Sequence, residues 1–238
     1  MGSRSSASFD GSTNLGGFQN GINNGTINVF KEDGDNECLS ALLSTHPRVS
    51  DPGAHIRKIE EEKGGLLKDS YEWMIHHPSF RQIQFDDQKR LLWIRGEPGH
   101  GKTMLLMGMI KELDDSSPRA GLAYFFCQGT DEEMNSATAV LRGLIYRLIL
   151  IKPSLITHLR KIYDCHKGVF QDRSSFFALP DIAGGMLEDP KLGRAFIVID
   201  ALDERNKSGS ATQIHSYEYL GITFREVDCV ESQRPSHH

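Results

Sequence analysis

No apolar run in the 238-residue chain approaches the roughly 20 residues that a membrane-spanning helix needs. The start, Met1 to Ser12, is rich in Ser and Gly and lacks the apolar core of a secretory signal, so the expected compartment is the cytoplasm. An excess of basic charge is missing too. With 27 Lys and Arg against 32 Asp and Glu, the net charge of -5 argues against a nucleic-acid partner. Cysteine is scarce: Cys38, Cys127, Cys165 and Cys229 are scattered without metal-ligand spacing and read as reduced thiols, two of them in the core. The ten histidines, including His76-His77 and His237-His238, form no HExxH or other paired ligand pattern. No Ser/His/Asp or Cys/His arrangement suggests nucleophilic catalysis. No self-similar period of roughly 20–50 residues marks a repeat array. A hydrophobic share of 38% then fits one globular domain with polar extensions.

Against these absences one stretch stands out. Leu91-Leu92-Trp93-Ile94 reads as a short buried strand, and Met104 to Leu113 reads as a helix. Between them runs Gly96-Glu97-Pro98-Gly99-His100-Gly101-Lys102-Thr103, the P-loop pattern in the strand–loop–helix context that gives it meaning. Glycines let backbone N–H groups turn inward around phosphates, and the helix N-terminus adds its positive dipole. Lys102 is the residue to reach the β- and γ-phosphates, and the Thr103 hydroxyl is a ligand for Mg²⁺. His100 occupies a variable loop position and takes no separate chemistry. The rival reading, a chance glycine-rich turn, does not account for the strand and helix around it.

Two further strands of a buried parallel sheet are expected at Ala120 to Cys127 and at Ala195 to Asp200. The second delivers Asp200 to its C-terminal end, the edge where ligands bind in open α/β sheets. A carboxylate there can hold Mg²⁺, and Asp203 and Glu204 just beyond can polarise an attacking water. Gln128, Thr130 and Asp131 either face the same edge or cap the next helix. Helices are expected over 133–151, Leu155 to Tyr163, and Phe176 to Leu187, the last interrupted at Pro180 and Gly184-Gly185.

Upstream, Glu37 to Leu43 and Ala54 to Lys63 read as short helices. Leu66 to His76 reads as a third, with Leu67, Tyr71 and Met74 on the side that packs against the domain that follows. Earlier still, Phe18, Ile22, Ile27 and Val29 alternate with Gly, Asn and Gln around a tight-turn sequence, Asn23-Asn24-Gly25. Such a segment is either a flexible polar linker or a pair of short strands that gains by stacking on copies of itself.

The run Gly17-Phe18-Gln19-x-Gly21-x-Asn23-x-Gly25-x-Ile27 resembles the sigma-type amyloid signalling motif at the N-termini of some fungal immune-type receptors. Four further stretches resemble the NACHT domain of fungal STAND-type receptors of the heterokaryon-incompatibility class. They are Lys63 to Tyr71, Leu91 to Met107, Tyr124 to Gln128 with Ala139 to Tyr146, and Ile199 to Glu204. The resemblance implies an α/β P-loop NTPase with a three-layer parallel sheet, an ATP- or GTP-dependent, Mg²⁺-requiring switch with slow hydrolysis at most. It also implies self-association through the NACHT domain and residues 17–30, and signalling to a downstream effector with a like motif, toward regulated cell death. The expected organisation is a disordered tail at 1–35, a helical linker at 36–88, an NTPase core at 89–204 and a divergent or disordered tail at 205–238. That last tail departs from the family, so the sheet is expected to be incomplete and the chain to be a truncated product or the result of a misread exon boundary, a naturally short receptor being the alternative. Within it, Leu220 to Val227 has the make-up of one strand. Two rival functions stay open: a P-loop kinase acting on a small acceptor, and a non-enzymatic interaction protein with a vestigial NTPase domain.

Overall fold

The computed structural model describes residues 33–44, 52–62, 64–66, 68–86, 92–96, 99–117, 120–127, 134–171, 174–200 and 226–227. The segment 17–30 lies outside them, as do Glu97, Pro98, Gln128, Thr130, Asp131, Asp203 and Glu204.

Two parallel strand pairs and eight α-helices make up the described chain. β2 (Gly121–Phe126) and β3 (Ala195–Asp200) run parallel, with Gly121 opposite Ala195 and Phe126 opposite Asp200. Their sequences, GLAYFF and AFIVID, are nearly continuous apolar runs, as a strand covered on both faces requires. Period-two alternation then sorts the side chains. Ala123, Phe125, Cys127, Ile197 and Ile199 join the main core beneath α6 (Ala137–Ile151). Leu122, Tyr124, Phe126, Phe196 and Val198 face the opposite layer, built by α5 (Lys102–Ser116) and α2 (Pro52–Glu62). The protein is thus a mixed helix-and-strand fold with helices on both faces of a parallel pair.

The other pair is shorter. β1 (Trp93–Ile94) lies parallel to β4 (Glu226–Val227), so the C-terminal segment contributes a strand beside the one that leads into the glycine-rich loop. Of the strand expected over Leu220 to Val227, Glu226 and Val227 are in a strand and 220–225 lie outside the described residues.

Several helices differ in extent from what periodicity suggests. α8 runs unbroken from Ser175 to Glu188 through Pro180 and Gly184-Gly185, against the expected interruption. Its Leu179, Pro180, Ile182, Ala183 and Met186 are buried, and this packing on α6 outweighs the backbone hydrogen bond that proline cannot make. The single helix expected over Leu66 to His76 is instead a 3-10 turn at Lys68–Ser70 and one turn of α3 (Glu72–Ile75). A separate α4 (Pro78–Phe85) follows, because Pro78 suits a first helical turn and the His77 ring accepts from the Ser79 N–H. α6 begins at Ala137, where the Ser136 hydroxyl accepts from the Ala139 N–H at 3.1 Å. α7 (Ile156–Cys165) follows a 3-10 turn at Pro153–Leu155.

α1 (Asp33–Leu43) starts inside the stretch that reads as a tail, and it is a piece of the core. Cys38, Leu39, Ala41 and Leu42 are buried among side chains of α6, α7 and α8. Arg160 of α7 holds Asp35 at 3.2 Å, and the Tyr163 hydroxyl donates to Glu37 at 3.0 Å. Burial, and next the Asp35 charge, push the Cys38 thiol up to about 12, so it acts as a small apolar side chain. Cys127 is buried as well, whereas Cys165 is exposed.

Arg142, in the middle of the apolar α6, is 2% exposed. Its guanidinium donates to the carbonyl of Leu42, at the C-terminal end of α1, and to the carbonyl of Phe170 in the turn after α7. Burial lowers its pKa to about 10, which leaves it charged at neutral pH. A planar fork of donors is what two carbonyls from different segments need. Removing it leaves both carbonyls without their donor in the interior. Arg142→Ala is therefore expected to cost about 2–4 kcal/mol in urea unfolding of the whole chain, and Arg142→Lys to recover less than half of that.

Candidate nucleotide-binding site

The site is assembled where α5 starts. Gly99 and Gly101 both sit at positive φ, 85° and 78°, in the left-handed region where a side chain would be strained. Gly101 is the N-cap of α5, its carbonyl accepting the Leu105 N–H at 3.0 Å, and it has no side chain with which to cap the helix. The first N–H groups of a 15-residue helix thus open from a glycine turn, which is the geometry of an anion site.

Lys102 is the first residue of α5. Its stem passes over Gly96, and its ammonium donates to the Gly96 carbonyl at 2.6 Å. The lysine therefore spans the loop from helix to strand end, holding a positive charge across its mouth. Thr103, half-buried, follows in the same first turn. His100 is exposed on the loop.

Asp200 ends β3 and is 4% exposed. The ladder to β2 runs on to its end, where the Cys127 N–H donates to the Asp200 carbonyl at 3.4 Å. It shares a strand face with Phe196 and Val198, the face on which α5 packs. Lys102 and Thr103 stand in the first turn of α5 and Asp200 ends β3, two elements packed against each other, while Gly96, Gly99, His100 and Gly101 lie on the stretch that leads into α5. Among the described residues, no group of three or more His, Cys, Asp or Glu side chains is placed to hold a metal ion by itself. Thr103 and Asp200 are oxygen donors of the kind Mg²⁺ takes when nucleotide phosphates complete its shell.

α5 is in turn held from behind by the segment that precedes the loop. Met74, Ile75 and Phe80 share a buried cluster with Leu105, Met109 and Leu113 of α5. Gln84, 2% exposed, donates to the Ser116 hydroxyl at 2.6 Å. The Tyr71 ring lies against Gly108, in the place that a side chain at that position would take. A glycine inside a helix costs about 1 kcal/mol relative to alanine, and close approach of a neighbour is the usual compensation. Sequence reading foresaw Tyr71 and Met74 packing forward but passed over Gly108 and Gln84. The visible signal was a glycine alone in a run of good helix formers.

Comparison with known proteins agrees with this architecture. The family model described as "Nephrocystin 3, N-terminal" matches residues 69–221. The "Vegetative incompatibility protein HET-E-1" of Podospora anserina is 49% identical over 177 residues, which are 74% of this chain and 12% of that protein. The chain thus spans about an eighth of the length of the curated relative it matches. No solved structure matches it. The matches identify a fungal NACHT-type domain of the heterokaryon-incompatibility class. By the family model the chain belongs to the nephrocystin 3 N-terminal family. No described helix is long and apolar enough to cross a membrane.

Proposed function

We propose that this chain is the nucleotide-binding signalling module of a fungal incompatibility receptor, a switch set by ATP or GTP with Mg²⁺. The reading takes the fold to be a P-loop NTPase with a three-layer parallel sheet. The observation that supports it most is the pairing of an uncapped helix N-terminus, crossed by Lys102, with a buried carboxylate on the strand face that α5 covers. In this reading the loop Gly96 to Thr103, Glu97 and Pro98 included, wraps the phosphates. Lys102 neutralises them, and Thr103 and Asp200 hold the ion, which would screen the phosphate charge. Asp203 and Glu204, next along the chain, orient water for slow hydrolysis. The alternatives of a small-molecule kinase and of a vestigial domain are outcomes of the same binding test.

An organisation goes with this proposal. Residues 1–35 carry the amyloid-type motif at 17–30, residues 36–88 form a helical extension, 89–204 the nucleotide core, and 205–238 a divergent tail. The motif passes the signal in the cytoplasm by templating a like motif on an effector, toward regulated cell death, and the NACHT domain self-associates. Support for the motif is its sequence of Gly, Asn and apolar residues, and support for the class is the 49% identity to an incompatibility protein.

Titration of labelled ATP and GTP tests the binding claim. Wild type is expected to bind one of them at least about tenfold more tightly than Lys102→Ala; equal weak binding by the two proteins refutes it. Fast phosphoryl transfer to a small acceptor would instead select the kinase. For the motif, a peptide of residues 1–32 is expected to form thioflavin-positive fibrils that seed further growth, and a peptide that stays monomeric across solution conditions counts against templating.

A further inference from the structure

We infer that Tyr71 is a positioning residue of the nucleotide site: seated on Gly108, it sets where α5, and with it Lys102 and Thr103, stands relative to β3. A Cβ built on Gly108 would lie 2.0 Å from the Tyr71 Cγ, 2.4 Å from its Cδ2 and 2.5 Å from its Cβ. No side chain at position 108 is compatible with that seat, so the ring and the bare helix backbone are a matched pair. Tyr71 is fixed in turn. It precedes α3 as its N-cap, its N–H donates to the Lys68 carbonyl at 3.1 Å, and its own carbonyl accepts from Met74 at 2.9 Å.

The seat is one of several attachments along α5, beside the buried cluster that Met74, Ile75 and Phe80 form with Leu105, Met109 and Leu113. Gly108 lies six residues beyond Lys102, which on a helix is about 9 Å. At the far end, Gln84 of α4 reaches Ser116, whose hydroxyl donates back to the Glu112 carbonyl at 2.5 Å. Two contacts separated along the axis restrain both sliding and tilt of α5, which a single apolar contact would leave free. The segment 68–86 therefore acts as a brace that decides the loop's register against Asp200. A site whose charges must meet phosphates within hydrogen-bond tolerance is sensitive to a shift of that kind.

The inference rests on the nucleotide reading, and its test separates the two. Wild type, Lys102→Ala, Tyr71→Phe, Tyr71→Leu, Tyr71→Ala, Gly108→Ala and the Tyr71→Ala/Gly108→Ala double variant are compared as full chains. Nucleotide affinity and amide hydrogen exchange are measured at a temperature where circular dichroism shows each folded. Tyr71→Ala and Gly108→Ala are each expected to weaken binding by about fivefold or more and to speed exchange in the first turn of α5, with α6 and α7 unchanged. Tyr71→Phe keeps the ring and is expected to behave as wild type. The double variant is expected to lose less than the product of the single losses, because the clash at position 108 needs the ring. Tyr71→Leu or Tyr71→Ala binding within about twofold of wild type, with unchanged exchange in α5, overturns the proposal. So does unfolding of both, which would make the seat a folding contact only. If wild type binds no better than Lys102→Ala, the nucleotide reading has failed, and the exchange pattern alone still decides whether Tyr71 positions α5.

Discussion

The structure depends on how one helix, α5, starts. A helix of 15 residues leaves its first N–H groups without partners inside the helix, and Gly101 supplies no side chain to satisfy them. Helices often put Ser, Thr, Asp or Asn there, as Ser136 does for α6. At α5 the chain places a left-handed glycine turn and a lysine whose ammonium reaches the Gly96 carbonyl. This arrangement leaves the start of α5 without a side-chain cap, and the rest of the fold keeps that end in place. β3 and β2 support α5 on one side, and α3, α4 and the Tyr71 ring support it on the other.

Much of the site was legible because its chemistry is local. The loop glycines, Lys102 and Thr103 are contiguous, and each demand of phosphate binding names a residue type at a fixed spacing. The burial of Asp200 was legible for a similar reason: an apolar strand ending in a carboxylate has a fixed alternation, so the face of Asp200 follows from Phe196 and Val198. The restraints on α5 were not legible. Tyr71 meets Gly108, and Gln84 meets Ser116, across many intervening residues, and no local periodicity encodes a contact between two helices. Helix ends followed the same division. Where a cap or a proline decides, as at His77-Pro78, sequence could have placed the break; where packing decides, as through Pro180, it could not.

The N-terminal helix changes the view of how signal and site are joined. α1 reads from sequence as a short apolar-faced helix, and it is buried on α6 and α7 and tied by Arg142, Arg160 and Tyr163. Arg142 is the telling residue. A lone arginine in an apolar helix has to find acceptors, and it finds the carbonyls of two segments distant in sequence.

The central claim is that the loop and Asp200 form a single site for a metal-bound nucleotide. Calorimetric titration of the preferred nucleotide, with and without Mg²⁺, on wild type and Asp200→Asn tests it most directly. The account predicts that Mg²⁺ tightens binding to wild type by roughly tenfold or more, and that Asp200→Asn loses that gain while binding metal-free nucleotide as wild type does. An Asp200→Asn protein that keeps the full Mg²⁺ gain would contradict it.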